Sequence, residues 1–381
     1  MNYKKLLLLL ALVMPLAANA QLDGDGFYRV QNADSKRYIS IKDNTSSTTS
    51  ATATTTPDLT ALISKASFDN VVGDLSTVIY VIYVGTRSSD DYYNLLGQGA
   101  NVYEMVNHYL YVKEFTDDDY GTYYKAWAED SGLSFFLSDQ REDYEEGAIG
   151  SNGSYNKWYI LPISADNDDN YFGIDPEISY DGKYYTTIYS GFPMQAASDG
   201  VKFYYIEEIS DGYAFYAEID GVVPAETPVV VECSSADPSD NRVELLYGDY
   251  TAISDNYLGG VMFHAFITGH PDNGTLYDET TMRVFGTLSD GTLGFYKASA
   301  SDYDDEALPA NTAYLNVSTG SADEFRFIDI TSGIKTVSVS DDDEPSDIYT
   351  LTGIKVGSNA ASLDGLAPGV YIYKNKKVVV K

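Results

Sequence analysis

The strongest constraint on the fold is a series of short segments in which apolar and polar residues alternate. The segments are rich in Tyr, Val, Ile and Phe, and Gly, Asp, Asn or Ser separates most of them. They read "GFYRVQ", "TVIYVIYV", "LSFFLS", "KWYILPI", "KFYYIEEI", "GYAFYAEI", "TPVVVE" and "DEFRFIDI". A period of two places successive side chains on opposite faces of a strand. We therefore predict an all-β chain built from sandwiches or barrels.

One β-hairpin can be located directly in the sequence. The segments "KFYYIEEI" and "GYAFYAEI" flank Ser210 and Asp211, and Asp211 with Gly212 can adopt the positive φ values of a tight turn. In the first of these strands, Tyr204 and Ile206 are expected to share one face.

One segment has the pattern of a short helix instead. In "TTPDLTALISKAS", Thr56 could cap the N-terminus, Pro57 suits the first helical position, and Leu62 and Ile63 belong to an apolar stripe. The stretch before it, residues 44–56, is polar and low in complexity, which predicts an exposed loop.

The N-terminus has the three regions of a secretory signal peptide. Lys4 and Lys5 precede an apolar run, and the small residues of "ANA", ending at Ala20, follow it. We expect residues 1–20 to be removed, so that the mature chain begins at Gln21. The apolar run is too short to span a bilayer, and no later run of roughly 18 apolar residues follows. The expected location is extracellular or on the outer-membrane surface, without a transmembrane segment.

The charge of the chain excludes several classes of partner. The formal net charge is -33, and removal of the first twenty residues takes away two more positive charges. Such a chain repels phosphate backbones and anionic lipids, which disfavours nucleic-acid binding and a general membrane-surface role. With 44% hydrophobic residues, 35 Tyr and 15 Phe, the chain can still bury sizeable cores. Its length favours two or three domains.

Residues 21–173 divide into three similar parts. They begin at "GFYRVQ", "TVIYVIYV" and "TYYKAW", and each has an aromatic-rich strand, a short apolar run and polar turns. The opening "GFYRVQN", the following "RYIS" and the later "KWYILPI" resemble the ricin-like β-trefoil modules of secreted Bacteroidetes proteins. The Gln-any-Trp signature of sugar-binding ricin repeats is absent, since neither Trp127 nor Trp158 has Gln two places before it. The resemblance implies a β-trefoil-like domain and assigns no sugar-contacting residue.

A second module covers residues 174–332. It contains an internal echo, "VPAETPVV" from Val223 and "LPANTAYL" from Leu308, in which Pro fixes φ and an apolar strand leaves the turn. Turns of this kind launch strands into a sandwich, so we expect a β-sandwich-like domain. Its segments "YYTTIYSGFPMQAASDG", "YLGGVMF" and "EFRFIDI" resemble a β-rich module common in surface and secreted Bacteroidetes proteins, from which no activity can be transferred.

The chain ends in an acidic linker and a small basic module. Residues 333–347 include "SVSDDDEPSD", which is typical of a solvated linker. In residues 348–381, "LTGIKV" and "LAPGVYIY" precede a lysine-rich strand, and together they resemble the C-terminal (Por) sorting domain of the Bacteroidetes type IX secretion route. The matching positions are Leu351, Gly353, Val356, Leu366, Gly369, Val370, Tyr371 and Lys377. The resemblance implies that the secretion machinery reads this terminus.

The basic terminus also has a physical interpretation. Residues 370–373 and 377–380 are predicted to be two strands joined by a tight turn, in which Asn375 tolerates positive φ. The lysines would keep this apolar hairpin soluble and protect its edge from further strand pairing.

Motifs for catalysis are absent from the sequence. There is no Gly-any-Ser-any-Gly elbow, P-loop or dinucleotide fingerprint. Cys233 is the only cysteine, and its apolar surroundings favour a buried strand residue over a nucleophile. His264 and His270 lie near each other, but no further ligand completes a zinc site. We therefore predict no catalytic residue and no resident metal or cofactor.

Two further possibilities concern calcium and sugar. Calcium takes six to eight oxygen ligands, so the acidic clusters leave a structural Ca²⁺ site open, although such clusters are more often solvated turns. The candidate ligands are Asp23, Asp25, Asp166, Asp168, Asp169, Asp302, Asp304 and Asp305. Exposed tyrosines could stack on sugar rings, but Tyr also favours half-buried strand positions. Adjacent tyrosine pairs occur at Tyr92 and Tyr93, Tyr123 and Tyr124, and Tyr184 and Tyr185.

Together these patterns favour binding over catalysis. We expect an exported protein that binds a glycan or a host or matrix protein. A glycan hydrolase that uses two carboxylates is one alternative, because such a pair cannot be found from spacing in the sequence. A structural or adhesive surface component is the other.

Overall fold

The structure of the chain is a computed structural model. It describes residues 22–41, 62–65, 71–98, 100–101, 110–130, 133–139, 147–151, 153–264, 275–329, 346–350, 353–360, 365–366, 369–373 and 376–380. The chain divides into two compact units, Met1–Phe172 and Gly173–Lys381. Helical turns in the described ranges are limited to four 3₁₀ segments at Leu75–Thr77, Pro238–Asp240, Ala300–Asp302 and Asp304–Glu306. The prediction of an all-β chain is confirmed.

The first unit contains eleven antiparallel strands in its described part. They are β1 (Gly26–Asn32), β2 (Tyr38–Ile41), β3 (Leu62–Lys65), β4 (Ile79–Arg87), β5 (Asp90–Gly97), β6 (Ala100–Asn101), β7 (Leu110–Asp117), β8 (Gly121–Asp130), β9 (Leu133–Asp139), β10 (Gly147–Ser151) and β11 (Trp158–Pro162). A two-residue strand, β12 (Phe172–Gly173), lies at the boundary of the units.

Six strands of the first unit form a closed barrel. β1 pairs with β4 and with β11, and the ring continues from β4 through β5, β7 and β8 back to β11. Alternate side chains point inward, and together with residues of β2 and β9 they line an apolar cavity of only about 30 Å³. Trp158 is 1% exposed and donates its indole N–H to the Leu137 carbonyl at 3.0 Å. The barrel interior is therefore a packed core.

Arg29 ties the first strand to two irregular segments of the same unit. Its side chain is fully buried, and its guanidinium donates to the carbonyls of Val71, Val72 and Tyr171 at 2.8 to 3.0 Å. It also donates to Thr77 Oγ1 at 3.1 Å and to Asn170 Oδ1 at 2.6 Å. Burial lowers the pKa of Arg29 to about 10. Loss of this side chain would leave several buried acceptors without their donor.

The predicted helix is wrong where the structure describes it. Leu62–Lys65 forms β3, which pairs with β2 on one side and with β10 on the other. An apolar run this short fits a strand as well as a helix, and distant pairing partners decide between them. The remaining helical positions, Thr56 and Pro57 among them, lie outside the described residues.

The second unit contains a ten-stranded sheet. Its strands are β13 (Ile178–Tyr180), β14 (Lys183–Ile188), β16 (Lys202–Ser210), β17 (Tyr213–Glu218), β18 (Val229–Cys233), β20 (Leu258–Val261), β21 (Met282–Thr287), β22 (Leu293–Tyr296), β23 (Thr312–Asn316) and β24 (Glu324–Asp329). Two further strands, β15 (Met194–Ala196) and β19 (Arg242–Leu245), pair with each other. The order in the large sheet is β13, β14, β18, β16, β17, β24, β22, β21, β23 and β20.

The core of this unit packs on the inner face of the large sheet. Phe295, Ile206 and Leu315 are fully buried in it, and Tyr204 belongs to the same cluster. The predicted hairpin is confirmed, because β16 and β17 pair around a two-residue turn. Asp211 and Gly212 have φ values of 50° and 77° in this turn.

A small four-stranded sheet follows near the C-terminus. It consists of β25 (Ser346–Thr350), β26 (Lys355–Ala360), β27 (Gly369–Tyr373) and β28 (Lys376–Val380), in the order β26, β25, β27 and β28. The terminal hairpin predicted from the sequence is present, with Tyr373 opposite Lys376, so the lysine-rich strand is an edge. Ser346 and Asp347, which the sequence placed in the linker, lie in β25. Described linker residues are confined to these two.

Candidate functional site

The ten-stranded sheet curls until β14 meets β23. The Ala313 N–H donates to Thr187 Oγ1 at 3.0 Å. The Tyr189 N–H donates to the Asn311 carbonyl at 2.9 Å, and the Asn311 amide donates back to the Tyr189 carbonyl at 2.9 Å. We call this set of contacts the seam. In the second unit, therefore, a side chain and a turn close the sheet. In the first unit, strand pairing closes the barrel.

A cleft opens beside the seam because two neighbouring strands diverge. β21 pairs with β23 over residues 282–284 only, whereas β21 stays paired with β22 as far as Thr287. Beyond residue 284, the start of β23 is bonded to Thr187 of β14 instead. The fork between β21 and β23 leaves a cleft of about 190 Å³.

Both echo turns recognised in the sequence lie at the end of β14. Glu226 and Asn311 occupy the same place in the two turns and have φ values of 57° and 59°. The Glu226 N–H donates to the Ser190 carbonyl at 2.8 Å, and the Asn311 carbonyl accepts from the adjacent Tyr189. The second turn also lines the cleft through Leu308 and Pro309. The two repeated turns therefore both bond to the backbone just after β14, at Tyr189 and Ser190.

Close approach at the seam requires a glycine at residue 260. A Cβ atom at Gly260 would lie 2.2 Å from the Tyr189 ring. The ring packs directly on the backbone of β20, which pairs with β23. The Tyr189 ring is thereby held in place at the seam.

The cleft combines aromatic rings, hydroxyl groups and one carboxylate. Its lining residues are Glu177, Ile178, Thr186, Thr187, Val284, Phe285, Tyr296, Tyr303, Leu308, Pro309, Thr312 and Ala313. Glu177 is exposed and is the only carboxylate in this set, which contains no Lys, Arg or His. Such a surface can hydrogen-bond a polar ligand while it packs against the ligand's apolar parts.

Tyr303 provides a neutral hydroxyl at the cleft. Its ring is half-buried, with a centroid 5.4 Å from that of Tyr277. Burial, followed by the nearby tyrosines, raises the pKa of Tyr303 above its ordinary value. The hydroxyl therefore remains protonated at neutral pH, where it can donate a hydrogen bond.

Positions singled out by the sorting-domain resemblance lie mostly in the small C-terminal sheet. Gly353 has a φ of 79° in the turn between β25 and β26, and Val356 in β26 is 42% exposed. Leu366 is half-buried and lies in the connection between β26 and β27. Gly369, Val370 and Tyr371 belong to β27, and Lys377 belongs to β28. Leu351, Ala20 and Gln21 lie outside the described residues.

Cys233 lies in the buried strand β18, as expected from the sequence. Its side chain is fully buried, and burial raises the pKa of the thiol to about 12. A thiol with so high a pKa is a poor nucleophile at neutral pH. His264 is close to the Leu308 carbonyl, with Nδ1 at 3.2 Å, and His270 lies outside the described residues.

Two of the candidate calcium ligands accept hydrogen bonds from backbone N–H groups in the described structure. Asp25 accepts from the Tyr83 N–H at 2.6 Å, and Asp302 accepts from the Ser299 N–H at 3.0 Å in a 3₁₀ turn. In the part of the chain that the structure describes, no three His, Cys, Asp or Glu side chains are placed to hold a metal ion. The calcium site stays a prediction.

The adjacent tyrosine pairs lie on β5, β8 and β14. None of the six rings is exposed, because strand pairing and ring packing cover them. The buried members are Tyr93, Tyr123, Tyr124 and Tyr185, and the half-buried members are Tyr92 and Tyr184.

Sequence reasoning missed the cleft, whose lining extends from residue 177 to residue 313. The echo turn at Leu308 was the one local signal near it.

Comparison with known proteins gives no family for this chain. No protein-family model, no curated protein and no solved structure matches it. A search of the described residues for a helix long and apolar enough to cross a membrane found none.

Proposed function

We propose that this is an exported, secreted or cell-surface protein that binds a glycan in the seam cleft without cleaving it. The observation that carries the proposal is the composition of the cleft. Tyrosine rings and threonine hydroxyls surround a space of about 190 Å³, with Glu177 at its exposed rim. Sugars present both C–H faces and hydroxyl groups, which such a lining accommodates.

The cleft favours glycan binding over the alternatives. Hydrolysis by paired carboxylates needs two acidic side chains roughly 5 to 10 Å apart across the scissile bond. The lining contributes Glu177 alone. A protein partner usually requires a contact of about 800 Å² on each side, much more than this concave site offers. An adhesive surface component would need no polar cleft.

A glycan array with parallel hydrolysis assays tests the proposal. The full chain is expected to bind a subset of glycans and to release no sugar from them. Released sugar would replace the proposal with the hydrolase. Absence of both binding and release would overturn it in favour of an adhesive role.

For the first unit we propose a β-trefoil fold. Support comes from the closed six-stranded barrel and from the strands between its members. β2 and β3 pair outside the ring, as do β9 and β10, and each pair separates two barrel strands along the chain. In this interpretation the three repeats start at β1, β5 and β8, so "TVIYVIYV" ends the first repeat, whereas the sequence pattern placed it at the start of the second.

For the second unit we propose sandwich-like packing followed by a sorting module. The curl of the large sheet, which brings β14 to β23 around one core, supports the packing. The turn at Gly353 and the terminal hairpin support the resemblance to the type IX (Por) sorting domain of Bacteroidetes. Deletion of residues 348–381 is expected to abolish surface display. Unchanged display would remove the sorting role.

A further inference from the structure

A long loop of the second unit is fixed at both ends. Residues 246–257 connect β19 to β20 without a strand or helix, and we call them the tyrosine loop. The Leu246 N–H donates to the Pro193 carbonyl at 2.8 Å, and the Tyr257 N–H donates to the Ile206 carbonyl at 2.9 Å. Loops of this length without secondary structure of their own are usually functional when they are ordered.

Asn256 anchors the end of the loop that leads into β20. Its amide donates to the Pro228 carbonyl at 2.8 Å, and its Oδ1 accepts from the N–H groups of Leu258 and Ile206 at 3.0 and 3.3 Å. The Asn256 side chain thus supplies hydrogen-bond partners to backbone groups around the start of β20. The neighbouring Tyr257 is held by the same anchor.

Three tyrosines of this loop are exposed to solvent. Tyr247, Tyr250 and Tyr257 are 54%, 42% and 44% exposed. Among the tyrosines that the structure describes, only Tyr83 is comparably exposed. Tyrosine normally sits half-buried on a sheet, so three exposed rings within eleven residues set this loop apart from the other tyrosine-bearing segments that the structure describes. A tyrosine ring offers an apolar face together with a polar hydroxyl.

The charges of the loop define the ligand that it would accept. Asp249 and Asp255 are its only charged residues, and the cleft likewise carries Glu177 without a cation. Both surfaces would repel a ligand that bears carboxylate or sulfate groups. A neutral, polyhydroxylated chain fits both, because its hydroxyls donate to carboxylates and its C–H faces pack on rings.

The loop and the cleft adjoin opposite ends of one strand. Tyr257 precedes β20, and Val261 at the end of β20 pairs with Thr312 of the cleft. Four residues of strand correspond to about 13 Å. We propose that the tyrosine loop is a second subsite, so that loop and cleft together bind one neutral glycan chain. This inference rests on the proposed function of the cleft.

The test compares chain lengths and variants by isothermal titration calorimetry. Neutral oligosaccharides from the family that binds on the array are titrated, from disaccharide to octasaccharide, into the full chain and into the double variant Tyr250→Ala and Tyr257→Ala. Tyr83→Ala, an exposed tyrosine of the first unit, is the matched control. Circular dichroism verifies that each variant is folded.

We expect wild-type affinity to rise with chain length and the double variant to lose about tenfold for the octasaccharide, as truncation of contact aromatics commonly does. The disaccharide and the Tyr83→Ala control are expected to be unaffected. Equal octasaccharide affinity in the double variant would overturn the second subsite while leaving the cleft as a site. Tighter binding of sulfated or uronate-containing chains would overturn the assignment to neutral glycans. If no glycan binds the wild type, the proposed function fails, and this inference fails with it.

Discussion

The two units of this chain differ in how their sheets close. In the first, backbone pairing completes the ring when β11 meets both β1 and β8, and the interior is apolar with a cavity of about 30 Å³. In the second, Thr187 and Asn311 bridge β14 and β23, and a cleft of about 190 Å³ with both polar and apolar lining residues remains. Complete pairing fills the space with core side chains, whereas closure through a side chain and a turn leaves room for a ligand.

The largest expected effect is unfolding at alkaline pH, which should begin at different pH values in the two units. Burial raises the pKa of Tyr93 and Tyr124 in the first unit and of Tyr216 in the second to about 12, and it raises the pKa values of Tyr185, Tyr204 and Tyr303 in the second unit more strongly. The folded state therefore keeps protons that the unfolded state releases above pH 10. Stability from these hydroxyls is complete below pH 10 and is lost as the pH rises through about 12.

Tryptophan fluorescence can follow the first unit alone, because the chain's two tryptophans are Trp127 and Trp158. We expect the transition in far-ultraviolet circular dichroism to begin at lower pH than the tryptophan transition. Coincident transitions would show that the two units do not differ in alkaline stability.

Arg29→Met tests the closed barrel. Removal of the buried guanidinium leaves carbonyl and amide acceptors without their hydrogen-bond donor. We therefore expect the free energy of unfolding of the first unit to fall by about 4 kcal/mol. The tryptophan transition in urea measures it. Arg29→Lys restores the charge and some of the hydrogen bonds, and is expected to recover part of the loss. An unchanged tryptophan transition in Arg29→Met would contradict the role assigned to this side chain.

Asn311→Ala tests the seam. The substitution removes the bond to the Tyr189 carbonyl and places a non-glycine, non-asparagine residue at a φ of 59°. We expect the second unit to lose about 2 kcal/mol, while the tryptophan signal of the first unit stays unchanged. Asn311→Gly keeps the backbone conformation and should cost only about 1 kcal/mol, since glycine tolerates positive φ. Equal losses of unfolding free energy in Asn311→Ala and Asn311→Gly would show that the positive φ at residue 311 does not contribute to the effect.

Local features of this fold could be predicted from the sequence, and features that depend on distant residues could not. The turn at Asp211 and Gly212 and the terminal hairpin follow from alternation and turn chemistry within a few residues. The error at Leu62 and Ile63 arose because the pairing partners of β3 lie far away in the chain, at β2 and β10.

The cleft escaped prediction for the same reason. It needs the fork between β21 and β23 and the arrival of β14, which no spacing in the sequence encodes. The echo at Val223 and Leu308 identified two turns correctly as strand starters, but not their convergence on Tyr189 and Ser190.

The most direct test of the account is the affinity of the cleft for its glycan in Glu177→Gln. Glu177 is exposed, so the substitution should leave the fold intact and remove only the negative charge at the cleft rim. Glu207→Gln, an exposed acid on β16 outside the cleft lining, is the matched control. Calorimetry with the best disaccharide from the array is expected to show about tenfold weaker binding for Glu177→Gln, the usual worth of a hydrogen bond to a charged group, and wild-type binding for Glu207→Gln. Equal affinity in all three proteins would contradict the assignment of the cleft as the binding site.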